Sequence, residues 1–449
     1  MRSRCRLVAA FLSIAPLAAA CTSAPGLTAP DGGGLAAAAN GPSPLAGERP
    51  RRCAAPRRVF DPTVVRKHYQ ERIAKVAGRH SMGVVVGISG TILFALGGDR
   101  PRVPASNEKL LLSMALFDTL GPDYRIPTGA ASASGVSGGV IDGDLWVIGH
   151  GDPTLTDHQP GYWGGVRSTT LAGLAAAVKR AGVHEIDGSV MAGNGYFSHD
   201  LDAPGWPSFV PHSYVEPVTS LVVNGNNTVR HKPEKRVASV LTRELKKVGV
   251  AVRGAPGAGD PPRGLTHVAT ERSVPLSSIV RFMDRTSNNF FAEMLGKLLG
   301  AETFGPPGTI RKGARAIEAW VRAHGGRAVA HDSSGLSSAD RVAPETIVHL
   351  LGEAEGRRWV GELRRGLPAP GEGTLRWRLP GLKVRAKTGT LFAGASALSG
   401  WVRSHGRWVE FSILDDHTPK TVEDRIVRIL SQTHLDAPRT PPVRCSPRG

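Results

Sequence analysis

The chain has 449 residues, of which 41% are hydrophobic and 21% charged, with a formal net charge of +18. That length allows two or three domains with a substantial core, and the composition excludes a largely disordered chain. The positive charge draws the protein toward anionic surfaces such as nucleic acid, a membrane or a cell wall. No basic helix or aromatic-basic repeat is present, which argues against nucleic acid as a partner.

Arg2, Arg4 and Arg6 precede an uncharged run, Leu7–Ala20, that ends Ala18-Ala19-Ala20. These are the charged, apolar and small-residue parts of an export signal, assigned to residues 1–20. The run is short for a transmembrane helix, and no other segment looks membrane-spanning. Cys21 follows the small residues, as in bacterial lipoproteins, although Ala18 stands where such signals usually carry Leu. A lipidated Cys21 giving peripheral membrane attachment and plain secretion are both open readings. Without Arg2, Arg4 and Arg6 the charge falls from +18 to +15, so the exported protein stays basic. Residues 21–58 read as a disordered linker rich in Ala, Gly and Pro. In an oxidising compartment Cys53 and Cys445 could pair and tie the two ends together; two free thiols are the alternative.

Order is expected from about Phe60. A helix over 63–77 is followed by a hairpin, Met82–Ser89 and Thr91–Leu96, turning at Ser89-Gly90. Pro104 leads into an apolar helix over Lys109–Leu120, ended by Gly121-Pro122. Residues 126–270 change in texture to short strands, many glycines and frequent turns, with one clear helix at Leu171–Ala181. Helical pattern returns over Leu276–Gly300, Thr309–His324 and Pro344–Ala354. Strand pattern follows over Leu382–Thr388, Ala395–Val402 and Trp408–Leu414, and a helix at Val422–Ser431 closes the fold. The expected class is therefore α+β and multi-domain. Segments 59–125 and 271–435 build one domain, an antiparallel sheet flanked by helices. A β-rich domain, 126–270, interrupts it, and a tail occupies 436–449.

Three short motifs occur once each and in order: Ser106-Asn-Glu-Lys109, Ser287-Asn-Asn289 and Lys387-Thr-Gly-Thr390. The i to i+3 spacing of the first places Ser106 and Lys109 on one face of a helix. A serine hydroxyl needs a nearby base, and Lys109 serves only if burial or another cation, such as Lys387, lowers its ordinary pKa of about 10.4. Ser287 and Asn289 fall within the Leu276–Gly300 helical region, at an expected helix junction; Ser287 is placed to relay a proton, and Asn289 to hold a substrate amide. On a strand, Lys387 and Gly389 face one way and Thr388 and Thr390 the other. Gly389 admits a close backbone, while Lys387 and a threonine hydroxyl suit a terminal carboxylate. The N–H groups of Ser106 and Thr390 are the candidate oxyanion hole.

The ordered trio resembles that of class A β-lactamases and penicillin-binding proteins. More widely, residues 60 to 430 resemble the class C, low-molecular-mass penicillin-binding proteins, the D-alanyl-D-alanine carboxypeptidase/endopeptidases of peptidase family S13. PASNEKLL, GDLWVIGHGDPTL, APGWP, SNNFFAEMLGKLLG, DSSGLSSADRVAP, RAKTGT and SALSGWV carry the likeness. Ser287 follows Ser106 by 181 positions, a gap that fits the family's inserted region and not a class A β-lactamase. The resemblance implies a transpeptidase-like domain with an insertion. It also implies hydrolysis of peptidoglycan stem peptides through an acyl-enzyme on Ser106, cross-link cleavage in some members, and acylation by β-lactams. No metal or cofactor is implied. Ser208, Phe209 and Val210 stand where some members carry an acidic residue, so that substrate contact is not transferred. A β-lactamase or esterase of the same fold, and a non-catalytic wall-binding protein, are the alternatives.

Two further patterns compete. Gly135-Val-Ser137-Gly-Gly139 matches a nucleophile elbow but lacks the strand–turn–helix setting. His150, Asp152 and His158 fit no standard metal spacing. The segment Asp332-Ser333-Ser334-Gly335 resembles a family segment and reads as a turn, with a supporting role near the site left open.

Overall fold

The computed structural model describes residues 58–438, apart from 79, 228–231 and 393. The export signal, Cys21, most of the linker and the Cys53–Cys445 pairing fall outside the described residues.

A five-stranded antiparallel sheet organises the fold, in the order Val384–Thr390, Ala395–Ser404, Arg407–Asp416, Ser81–Ile88, Thr91–Leu96. The early hairpin turns at Ser89 and Gly90, both with positive φ, the geometry of a two-residue turn matched to strand twist. Val84, Val85 and Val86 are all buried, because helices cover both faces of the sheet. On one face, Pro62–Ala77 and Lys420–Gln432 bury Val65, Tyr69, Ile73, Ile426 and Leu430 against Val84, Val86, Phe411 and Ile413. On the other, Pro344–Ala354 lies close enough that a Cβ on Gly83 would stand 2.7 Å from Pro344, and one on Gly87 2.8 Å from Val348. Strands from both ends of the sequence thus share one sheet. Arg58–Phe60 also pairs with Asp436–Pro438, so pairing extends into the segment read as a tail.

Between these ends, Pro127–Ser132, Leu145–Gly149, Val190–Gly193, Gly257–Gly259 and Thr266–Arg272 form a second five-stranded sheet. It is mixed, with Leu145–Gly149 and Gly257–Gly259 each parallel to Val190–Gly193. A three-stranded parallel sheet lies beside it. Two helices accompany these sheets: Leu171–Arg180, which the sequence pattern predicts, and Pro233–Lys247, which it missed. The second buries Val237, Ala238, Leu241 and Leu245, an i, i+4, i+8 apolar stripe, and Pro233 opens it. The helix Val360–Gly366 was also missed, having too few residues to show a period.

The apolar pattern over 276–300 resolves into two helices, Leu276–Thr286 and Asn289–Phe304. Trp163, from the middle of the chain, packs on both. Its ring centroid lies 5.9 Å from that of Phe282 and 4.8 Å from that of Phe291, edge to face in each case. Trp163→Ala is expected to lower stability by about 3 kcal/mol, read as a fall in the urea midpoint at constant slope.

Candidate active site

The chain enters the site through a strained turn. Ala105 adopts φ 46°, a left-handed conformation uncommon for a residue with a Cβ, just before Ser106. Residues Ala105–Asn107 make one 3-10 turn, and the helix Glu108–Thr119 continues from it. Two close packings hold the turn. A Cβ on Gly335 would stand 1.8 Å from the Ala105 carbonyl oxygen, and one on Gly389 3.0 Å from the Pro104 oxygen. Asn107 Nδ2 donates to the Lys387 carbonyl at 3.2 Å, tying the turn to the edge strand Val384–Thr390.

Lys109 follows on the same face and is wholly buried. Its Nζ donates to Ser106 Oγ at 3.1 Å, to Asn289 Oδ1 at 2.8 Å and to the Ser334 carbonyl at 2.6 Å. Burial pushes its pKa down to about 8, although the Asp332, Glu293, Asp284 and Glu108 charges pull the other way. Three of those acids, with nearby Asp340, are themselves shifted. Burial raises Glu293 to about 8 and Asp284 to about 7, and holds Glu108 and Asp340 well above the usual carboxylate range.

Ser287 ends the first helix of its pair in a left-handed conformation, φ 55°. Asn288 then caps the second, its Oδ1 accepting from Phe291 N at 2.9 Å. Asn289 opens that helix, facing Lys109, and its Nδ2 donates to the Tyr214 carbonyl at 3.4 Å. The Ser-Asn-Asn motif is therefore a helix junction, as its sequence suggests.

Lys387 is buried and donates to Ser287 Oγ and to the Thr388 carbonyl, each at 2.9 Å. Burial and then the Lys109 charge lower its pKa to about 7, against the opposing pull of Asp284. The influence found runs from Lys109 to Lys387; for Lys109 itself burial is what lowers the pKa, and Lys387 is not among the charges that shift it. Gly389 packs beside Ala105, whereas Thr388 and Thr390 lie on the more open face, as strand alternation predicts. Thr388 Oγ1 bonds Thr374 Oγ1 at 2.7 Å, and exposed Thr390 donates to the Gly389 carbonyl at 2.7 Å.

Sequence reasoning missed several of these contacts. Thr374 had no motif to mark it. The segment 332–335 reads as a turn, yet its Ser334 carbonyl is the shortest partner of Lys109. Asp332 braces that segment by accepting from Gly335 N at 2.7 Å, Ser337 N at 2.8 Å and Trp206 Nε1 at 2.6 Å. Glu293 Oε1 accepts from Ser333 N at 3.0 Å. The competing patterns are absorbed locally. Ser137 and Val140 exchange two backbone bonds in a tight turn. Asp152 accepts from Thr154 N, Thr154 Oγ1 and Thr169 Oγ1, while His158 sits beside Asp157.

A helix-entry serine, a buried lysine three residues on and a K-T-G edge strand, set on an antiparallel sheet, are the arrangement of penicillin-reactive serine enzymes. The model of the D-Ala-D-Ala carboxypeptidase 3 (S13) family matches residues 66–234 and 227–433, and the chain belongs to that family. It is 29% identical over 457 residues to a D-alanyl-D-alanine carboxypeptidase of Actinomadura sp., covering 79% of this chain and 82% of the relative. A carboxypeptidase of Mycobacterium tuberculosis is 29% identical over 369 residues, 77% of each chain. The crystal structure of penicillin-binding protein 4 from Haemophilus influenzae shares the fold, with a TM-score of 0.67 at 20% identity over 80% of this chain and 98% of that one.

In protein labelled with 13C at lysine Cε, the Lys109 and Lys387 signals are expected to titrate near pH 8 and pH 7. Lys109→Met and Lys387→Met variants assign them. Midpoints for both at the ordinary value of 10.5 would contradict the burial seen here.

Proposed function

We propose that this chain removes the terminal D-alanine from peptidoglycan stem peptides ending in D-Ala-D-Ala, through an acyl-enzyme on Ser106. The carrying observation is the 3.1 Å contact between Ser106 Oγ and the buried, pKa-lowered Lys109. Ser106 Oγ attacks the carbonyl carbon of the penultimate D-alanine, and neutral Lys109 takes the hydroxyl proton. The Ser106 and Thr390 N–H groups face the oxyanion. As the C–N bond breaks, Ser287, held by Lys387, relays a proton to the departing amine. Water then attacks the ester, and Lys109 serves as base again. Lys387, Thr388 and Thr390 take the terminal carboxylate, with Thr374 as a further hydroxyl behind Thr388. Gly389 lets the substrate backbone lie close, and Asn289 holds the acyl-side amide.

β-Lactams mimic the scissile amide and acylate the same serine; a β-lactam occupies a second Haemophilus influenzae penicillin-binding protein 4 structure, with a TM-score of 0.61 at 21% identity. The substrate lies outside the cytoplasm, in keeping with the export signal read at residues 1–20. Lipidation of Cys21 would hold the enzyme at a membrane surface. Among the described residues, no helix is long and apolar enough to cross one.

Mass spectrometry tests the reading. Penicillin is expected to leave one covalent adduct on the protein and none on Ser106→Ala, and a stem pentapeptide to lose one D-alanine. A cross-linked dimer in the same assay reports any cleavage of cross-links. Folded protein giving neither adduct nor D-alanine would refute the reading. Lys109→Met should slow acylation about a thousandfold.

The pH dependence carries a sign. Lys109 is charged below about pH 8 and neutral above it, so acylation should rise through that region and then level. With a substrate carboxylate bound, Lys387 is held charged, so Lys387→Met removes a neighbouring cation and should move the rising limb of acylation in the bound complex to higher pH. A limb left in place would break the proposed coupling.

A further inference from the structure

The Ser334 carbonyl reaches Lys109 from a loop that is closed at its base. Ala328–Val329 and Arg341–Val342 pair as two short antiparallel strands, and residues 330–340 run between them. Asp332 and Asp340 stand near the two ends of that loop. Both are wholly buried, and their side chains are hydrogen-bonded to each other. A carboxylate can only accept, so this bond needs a proton on one of the two. The loop touches the reacting groups twice. The Ser334 carbonyl accepts from Lys109 at 2.6 Å, and Gly335 packs on the Ala105 carbonyl just before Ser106.

The surroundings decide which acid carries the proton. Asp332 accepts three N–H groups, from Gly335, Ser337 and the Trp206 indole, a setting that suits an ionised carboxylate. Asp340 accepts one, from His331 N to Oδ1 at 2.8 Å, and its buried Oδ2 meets no donor among the described residues. Burial, followed by the Asp332 and Glu108 charges, pushes the Asp340 carboxyl well above the usual carboxylate range. Arg341, next in the chain, turns its Nη1 to the Ser338 and Asp340 carbonyls, each at 2.7 Å, and not to either acid. An ionised Asp340 paired with the His331 ring is the alternative. That ring's Nδ1 stands 3.4 Å from Oδ1, the oxygen already taken, and makes no hydrogen bond. It would leave Oδ2 as a buried, unpaired end of the charge, a costly state. The proton therefore belongs to Asp340, and Asp332 receives a fourth hydrogen bond that closes the loop.

We propose that Asp340 is a positioning residue for acylation: its carboxylic acid donates to Asp332 and ties together the loop that holds the Ser334 carbonyl on Lys109. This rests on the acylation of Ser106 proposed above, and not on which bond of the stem peptide is cut.

Two variants of the full chain separate donor from charge and from volume. Asp340→Asn keeps a donor toward Asp332 and removes the acid, whereas Asp340→Leu keeps similar volume and removes the donor. Penicillin acylation of Ser106, followed over a range of penicillin concentrations, gives a limiting rate and an affinity for each protein. Asp340→Asn should acylate within about threefold of the unaltered limiting rate and Asp340→Leu about tenfold or more slower, the scale of a displaced reacting group, with affinity little changed. In protein labelled with 13C at aspartate Cγ, the signal that Asp340→Asn removes is expected at the protonated position at neutral pH. An ionised Asp340 signal would overturn the proposal. So would an Asp340→Asn variant as slow as Asp340→Leu, or an Asp340→Leu variant as fast as the unaltered protein. Should Asp340→Leu fail to fold, the carboxyl signal and the Asp340→Asn rate still decide. Unaltered protein that takes no penicillin on Ser106 would remove the acylation chemistry and this role with it. Normal acylation beside an uncut stem pentapeptide would remove the peptidase reading alone.

Discussion

The site depends on keeping the Lys109 amine out of water while giving it three acceptors. One acceptor, Ser106, lies one turn before it, and the other two come from distant parts of the chain, Asn289 at a helix start and Ser334 on a loop. An ammonium has three N–H donors and satisfies all of them. A neutral amine has two, so it can keep Asn289 and Ser334 while turning its lone pair to Ser106. Burial brings these states close in energy, as the pKa of about 8 records. The surrounding acids could have undone this by pairing with the ammonium. Burial raises Glu293 to about 8 and Glu108 well above its ordinary value, which weakens their hold on the ammonium, and Asp332 is the acid that opposes burial most.

Rigidity around that amine comes from close backbone approaches. Glycines at 335 and 389 let two segments press on the strained turn before Ser106, and Gly296 lets Ser333 approach the helix Asn289–Phe304, where a Cβ would be 2.0 Å from its Oγ. The middle of the chain takes part too. Trp206 reaches Asp332, which braces the loop carrying the Ser334 carbonyl, and Trp163 packs against the helices on either side of Ser287. Residues 126–270 thus contribute to the walls and supports of the site instead of hanging from it.

Much of this was legible in the sequence because side-chain chemistry and local period mark it. The trio of motifs names Ser106, Lys109, Ser287, Asn289 and Lys387, which the structure brings into two bonded groups, Lys109 with Ser106 and Asn289 and Lys387 with Ser287, tied through Asn107. The early hairpin and late strands carry enough apolar residues to be seen as one sheet. The rest was hidden for definite reasons. A backbone carbonyl such as that of Ser334 has no sequence signature. Thr374 meets Thr388 only because a turn brings the chain back to the edge strand. The helix Pro233–Lys247 did have its stripe, but it lies among glycine-rich strands whose texture dominated. The break at Ser287, by contrast, was legible as a helix junction although apolar residues continue on either side of it.

The two lysines also respond to what binds. Each is depressed by burial, and Lys387 is depressed further by the charge on Lys109, so near neutral pH the pair disfavours two protons at once. On the proposed chemistry, a substrate carboxylate arriving at Lys387 favours the charged form there. That charge then opposes a proton on Lys109 and frees the amine beside Ser106. The carboxylate that marks a peptide end would thereby help prepare the base that attacks the preceding bond. A chain end would be selected by electrostatics as well as by fit.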